Sequence, residues 1–383
     1  MSEADEYDKC MRRAYKAYRS GEVWTAALLY ERAHELAVAR GWQDKAVSAL
    51  RWAADSWSDT SELDRSVKLI LGAIRQAEAM GNADERYWLH SLFLWHAMSH
   101  DVIVTDLDEL MEQLSELALS AWGAEGAATK SQRAQLLHKR GRWAASLEIQ
   151  ELAWAQRDGP GPSYWPSGTA FSASGCCLQL CRRDEAERWS ALLRTLDDPM
   201  ADSLFAWRAA SLALYDNDSQ AARATSRQVD ALARPQELQE PIHATLRALY
   251  ALVLDPAEGD PARPSHLIRL RLAHEDVAEP MPFWLRFDWH GALAALELAG
   301  LRHAAGMPPV DDFYYRKPQT LPHPRNARLP TEILPRLATF EQACDTAQKY
   351  AHEADTRFDC TWHQQRIADL RQRGRAIAEV FRP

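Results

Sequence analysis

The chain has 383 residues, 46% of them hydrophobic and 26% charged, which is ordinary for a folded soluble protein and long enough for two or three domains or a repeat array. Its formal net charge of −9 argues against a general nucleic-acid binder, whose affinity rests on many phosphate-neutralising cations, and fits either a basic partner or plain solubility. The acidic start MSEADEYDKC is not a secretory signal, no apolar run nears the ~20 residues of a membrane-spanning helix, and six cysteines without a regular framework point to reduced thiols in a cytoplasm.

From the N-terminus the chain reads as helix pairs. Ala14 lies in a first helix, Gly21 marks a turn, and Glu22 opens a second helix with Ala26, Tyr30 and Ala33 on one face and Gly41 closing the unit. Apolar residues at spacings of three and four define an amphipathic helix, and alanines at the crossing let two helices approach closely. Forty residues on, Ala54, Ser61-Glu62, Ile70, Ala73 and Gly81 take the same places. A third unit, Trp88 to Gly123, is less regular. In a fourth, Ala134, Gly141-Arg142, Ala153 and Gly161 each stand 120 residues after their counterparts.

This order of small residue, turn, then alanine, aromatic and alanine resembles the tetratricopeptide repeat. Its 40-residue period exceeds the family's usual ~34 and is similar to the lengthened variants in helical-repeat sensor domains of bacterial regulators. A bacterial source also fits a cation set that is nearly all arginine, with eight lysines. The resemblance implies an all-α fold, a right-handed α-solenoid of antiparallel helix pairs whose first helices line a concave groove. Carried over position by position, that groove takes Met11, Tyr15 and Tyr18 from the first unit and Arg51, Asp55 and Ser58 from the second. The third supplies Trp88, Ser91, Trp95 and Met98, and the fourth Ser131, Gln135 and His138. Trp24, Trp143 and Trp189 fall near turns, where they would wedge neighbouring repeats.

Beyond Pro166 the repeat is hard to follow. GTAFSASGCCLQLC precedes RDEAERWSALLRTL, and MADSLFAWRAASLALY precedes DSQAARATSRQVDALA, with Asp218 or Ser219 as its cap. QEPIHATLRALYALVL and PSHLIRLRLAHEDVA follow, then one helix from PFWLRF to Gly306. No segment shows the period-two alternation of a strand. GPGPSYWPSG, 159–168, is the best boundary within the array.

Seven of the nineteen prolines lie between Pro308 and Pro335, a density no helix survives. Phe313, Tyr314, Tyr315 and Leu321, with Arg316, Lys317, Arg325 and Arg328, would either hold this loop on the solenoid as an extended strap or offer it to a partner. Thr331 would then cap one long C-terminal helix. Its seam of Ile333, Leu337, Phe340, Cys344, Ala347, Ala351, Ala354 and Phe358 follows a heptad, then shifts at Trp362, Ile367 and Leu370, and Gly374 would loosen it. The expected organisation is tetratricopeptide-like repeats over 1–160, degenerate repeats over 161–306, a proline-rich loop over 307–330, and over 331–383 a long helix capping the last repeat. The seam also allows a homodimer.

Walker A, GxGxxG, GxSxG and HExxH motifs are missing from the sequence. Three constellations remain. His96 and His100, beside Asp101, have the i, i+4 spacing of half a zinc site. Cys176, Cys177 and Cys181 sit among leucines, as buried cysteines do. His352, Asp355, Asp359 and His363 fall near one polar stripe, which fits metal binding, proton relay or a solvated face. None demands a catalytic reading. The expected function is therefore a non-catalytic scaffold that binds a protein or peptide, without a cofactor, metal or membrane. An all-helical enzyme or metal-binding protein built on the histidine–aspartate groups is the alternative.

Overall fold

The computed structural model describes residues 3–20, 22–58, 60, 62–99, 106–198, 201–216, 218, 220, 221, 224, 225, 228, 283–307 and 330–381. Gly21, Ser61, His100, Asp101, the helices expected over 239–254 and 264–278 and the loop residues Tyr314, Tyr315, Arg316 and Lys317 lie outside them. Among the described residues every regular element is helical. The helices are α1 (Glu3–Arg19), α2 (Val23–Ala39), α3 (Gln43–Ser58), α4 (Leu63–Met80), α5 (Ala83–Ser99), α6 (Leu107–Trp122), α7 (Gly126–Lys139) and α8 (Trp143–Ala155). Then come α9 (Pro166–Gln179), α10 (Arg183–Leu193), α11 (Ala201–Asp216), α12 (Phe283–Ala304), α13 (Ile333–Phe358) and α14 (Trp362–Glu379), with a 3₁₀ turn at Pro330–Glu332. Two compact units form, Met1–Arg133 with Ala155–Tyr164, and Ala134–Trp154 with the described residues from Trp165 onward.

In the first unit each helix from α1 to α6 packs on the next, and α3 also meets α5. The small residues that recur at a spacing of 40 are fully buried, Ala14 and Ala26 like Ala54 and Ser66. Ser66 Oγ donates to the Ala54 carbonyl at 2.7 Å, so the hydroxyl is satisfied where a larger side chain would push the pair apart. In the second unit Ser146 Oγ repeats the bond to Ala134 O at 2.7 Å. The register then continues past the point where the sequence pattern fades. Ser174 and Ala186 stand 40 residues after Ala134 and Ser146, are fully buried, and are joined by Ser174 Oγ donating to Ala186 O at 2.7 Å. Serine and alanine have exchanged helices, and the bond joins α9 to α10.

The turns keep the same register. Gly141 has φ +70°, and at the equivalent place Cys181 holds φ +57°, a left-handed conformation that glycine adopts without strain. Asp218 does accept from Ala221 N at 2.9 Å, as a cap should. Thr331 does not cap α13: Pro330–Glu332 tightens into the 3₁₀ turn, and Glu332 bonds Arg336 one turn on.

The C-terminal segment is not one long helix. It breaks at Asp359, φ +50°, into the antiparallel pair α13 and α14, cross-linked by Arg371 to Asp345 at 2.7 Å and Arg375 to Glu341 at 3.1 Å. Its seam from Phe340 to Phe358 is buried against α12 and α14. Gly374, read as a loosening point, does the opposite. A Cβ there would lie 2.2 Å from the ring of fully buried Phe340, so glycine is what allows the close approach. The corner of the pair also reaches the α7–α8 turn rather than only its sequence neighbour: Trp362 Nε1 donates to Lys139 O at 2.6 Å, and Arg140 Nε donates to Phe358 O at 2.8 Å.

Candidate functional site

Alternate helices are tied together by side-chain contacts. Between α1 and α3, Tyr7 Oη donates to Lys45 O at 3.2 Å, and the Lys45 ammonium lies 3.7 Å from Asp8 and over the Tyr7 and Trp42 rings. Between α3 and α5, Arg51 Nε meets Glu85 at 2.9 Å while its guanidinium faces Trp52 and Trp88 at 5.2 and 5.7 Å. Burial pushes the Glu85 carboxyl up, and Arg51 opposes that shift. Between α5 and α7, Gln132 Nε2 donates to Ser91 Oγ at 3.1 Å, and Tyr87 and Thr129 share a hydrogen bond at 3.0 Å.

The expected groove residues differ in exposure. Tyr15 (52% exposed) and Trp95 (45% exposed) offer their rings to solvent. Arg51, Asp55, Ser58, Trp88, Ser131 and Gln135 are half-buried on the same helices. Met11 and Tyr18 divide their surface, packing against the Ala14, Ala17 and Tyr30 cluster. Met98 and Ser91 are core residues, and Ser91 spends its hydroxyl on Gln132. The tryptophans do pack at turns: Trp24 meets Trp57, Trp189 meets Trp154, and Trp143 meets Trp362, all edge-on with centroids 4.8–5.6 Å apart.

His138 turns its Nδ1 to Cys176 Sγ at 3.2 Å. Burial, with Lys139 and Arg208 nearby, lowers its pKa to about 4, and burial lifts the Cys176 thiol to about 11. Both are therefore neutral near pH 7, the reverse of an activated thiolate–imidazolium pair. Cys176 and Cys177 belong to the core around Leu147, Leu178 and Ala186, and Cys181 is exposed at its turn. His96 is buried with Nε2 3.3 Å from Ser66 Oγ.

The stripe on the last helices is divided by the break at Asp359. His352 and Asp359 face solvent, whereas Asp355 and His363 are buried and meet at the corner of α13 and α14. Asp355 Oδ1 accepts from His363 Nδ1 at 2.7 Å, His363 N at 3.0 Å and Cys360 Sγ at 3.2 Å, and Oδ2 accepts from Gln364 N at 3.0 Å. The carboxylate thus caps the start of α14 from the preceding helix. Burial alone would raise its pKa, but these bonds outweigh that and hold it below the usual range. Burial lowers the His363 pKa against the pull of Asp355, and lifts Cys360 to about 12. Phe287, Phe358 and Trp362 wall the imidazole at 4.7, 6.0 and 4.0 Å. Cys360 is the member that the reading of the stripe missed; the C-x-x-H spacing of Cys360 and His363 was its signal.

No protein-family model matches the chain, and no curated protein matches it.

Proposed function

We propose that the chain is a non-catalytic scaffold of the tetratricopeptide-like solenoid type, holding a protein or peptide partner on the face built by α1, α3, α5 and α7. The observation that carries this reading is the row of cross-links from Tyr7–Lys45 through Arg51–Glu85 to Ser91–Gln132. First helices placed side by side make a shared surface, and these helices carry exposed Tyr15 and Trp95 as well as the Arg51–Trp88 contact. Aromatic and arginine side chains in such settings are the usual anchors of an interface. The second unit supports a groove less well, because its C-terminal hairpin folds back to the α7–α8 turn. The net charge of −9 favours a basic partner.

Capture on the tagged protein from its native host tests this. A stoichiometric partner should be retained by wild type and by Trp165→Ala, a 48% exposed ring that belongs to none of these helices, and lost by Tyr15→Ala with Trp95→Ala. Equal retention by all three would move the binding surface elsewhere.

A further inference from the structure

At the α13–α14 corner the ligand atoms of Asp355, Cys360 and His363 all lie within 4.8 Å of one another, and we propose that this corner binds a zinc-type divalent transition-metal ion. The pairwise distances are Oδ1 to Nδ1 2.7 Å, Sγ to Oδ1 3.2 Å and Sγ to Nδ1 3.7 Å. Around a tetrahedral zinc the same atoms would be about 3.3–3.6 Å apart, from bond lengths of about 2.0–2.3 Å. Two of the three spacings therefore need only small adjustment, and the carboxylate and ring must part by about 0.6 Å.

The ligand set selects the metal. A thiolate and an imidazole suit zinc and its cobalt substitute, whereas magnesium and calcium take oxygen ligands. Thiolate and carboxylate together bring two negative charges, which neutralise a divalent ion in a buried corner where a net charge would be costly. Binding balances simply. The metal displaces the Cys360 proton to solvent, the neutral His363 ring exchanges its Nδ1 proton for one on Nε2, and the metal replaces two of the hydrogen bonds that now converge on Asp355 Oδ1. Asp355 keeps its bond from Gln364 N through Oδ2, so the cap on α14 survives.

The corner is also built to hold its shape. Trp362 and Phe358 on either side of it are fastened to Lys139 O and Arg140, and rings wall His363. Cys360 is only partly buried, which gives the ion an entry and leaves the fourth position to water. Such a site would staple α13 to α14 and, through Trp362, to the end of α7.

The test uses full-length protein, reduced and stripped with a chelator, then titrated with Co²⁺. One equivalent should saturate a sulfur-to-cobalt charge-transfer band that Zn²⁺ then bleaches and Mg²⁺ leaves alone. Cys360→Ser should lose the band while keeping its helical circular dichroism, and Cys10→Ser should keep both. Absence of the band in wild type, or its survival in Cys360→Ser, overturns the proposal. Should Cys360→Ser fail to fold, alkylation of wild type mapped by mass spectrometry decides the matter. Zn²⁺ should slow labelling of Cys360 at least tenfold, and an unchanged rate overturns the site. Partner capture is a separate measurement, so failure here leaves the scaffold reading standing.

Discussion

Cys181 occupies a left-handed turn position, φ +57°, that Gly141 fills 40 residues earlier. A non-glycine residue there carries about 1–2 kcal/mol of strain, and glycine's greater unfolded freedom returns roughly half of that. Cys181→Gly should therefore leave the fold intact and raise stability by up to about 1 kcal/mol, read from a denaturant midpoint; a lower midpoint would show that the thiol's packing outweighs the strain. Gly374 makes the opposite case. With the ring of fully buried Phe340 2.2 Å from the place of a Cβ, Gly374→Ala should cost about 1–3 kcal/mol. Gly81 also has φ +67° but nothing within 4 Å of its Cβ position. Gly81→Ala should thus show backbone strain alone, about 1–2 kcal/mol, and comparison of the two midpoints separates crowding from strain. The sequence marks all three as helix or turn positions. It does not say which is crowded, because that depends on a ring contributed from elsewhere in the chain.

The element that most altered in passing from sequence to structure is the C-terminal one. A heptad seam shows only that one face of a helix is buried, and the same spacing serves a long helix on a neighbour or two helices packed on each other. The shift at Trp362 is where the seam changes partner, and Asp355 is the residue that makes the corner by capping α14. Asp355→Ala leaves the amides of His363 and Gln364 and the His363 ring without their acceptor, so it should cost about 2–4 kcal/mol. A melting temperature within a degree or so of wild type would remove Asp355 from this role. The same burial sets a pH dependence. His90, His138 and His363 all have folded pKa values depressed by burial, His138 to about 4, so the unfolded chain takes up their protons first as pH falls. Their contribution is fully present above the unfolded value of about 6.5 and is lost as pH falls below it. Melting temperature should therefore drop between about pH 7 and pH 5, with a shallower slope in His138→Gln. A level profile over that range would contradict the burial of these rings.

For the molecule as a whole, the packing of α1, α3, α5 and α7 leaves some residues of these helices exposed and buries others. Tyr15→Ser and Trp95→Ser should each change stability by no more than about 0.5 kcal/mol, as exposed substitutions do. Met98→Ala, in the core of the same helix row, should cost about 2–5 kcal/mol. If the exposed variants destabilise as much as Met98→Ala, the face is packed against something and cannot be open to a partner.

The sequence by itself determined the all-helical class of the described elements and the small residues that recur at a spacing of 40, since those follow from local periodicity and from the steric demand of two backbones in contact. Only the tertiary structure decided that Met98 and Ser91 are core, that the last helix is a hairpin, and that Cys360 joins Asp355 and His363. Burial and convergence depend on which face meets a neighbour, and that is settled by contacts such as Trp362 with Lys139, 223 residues apart, which no local pattern encodes.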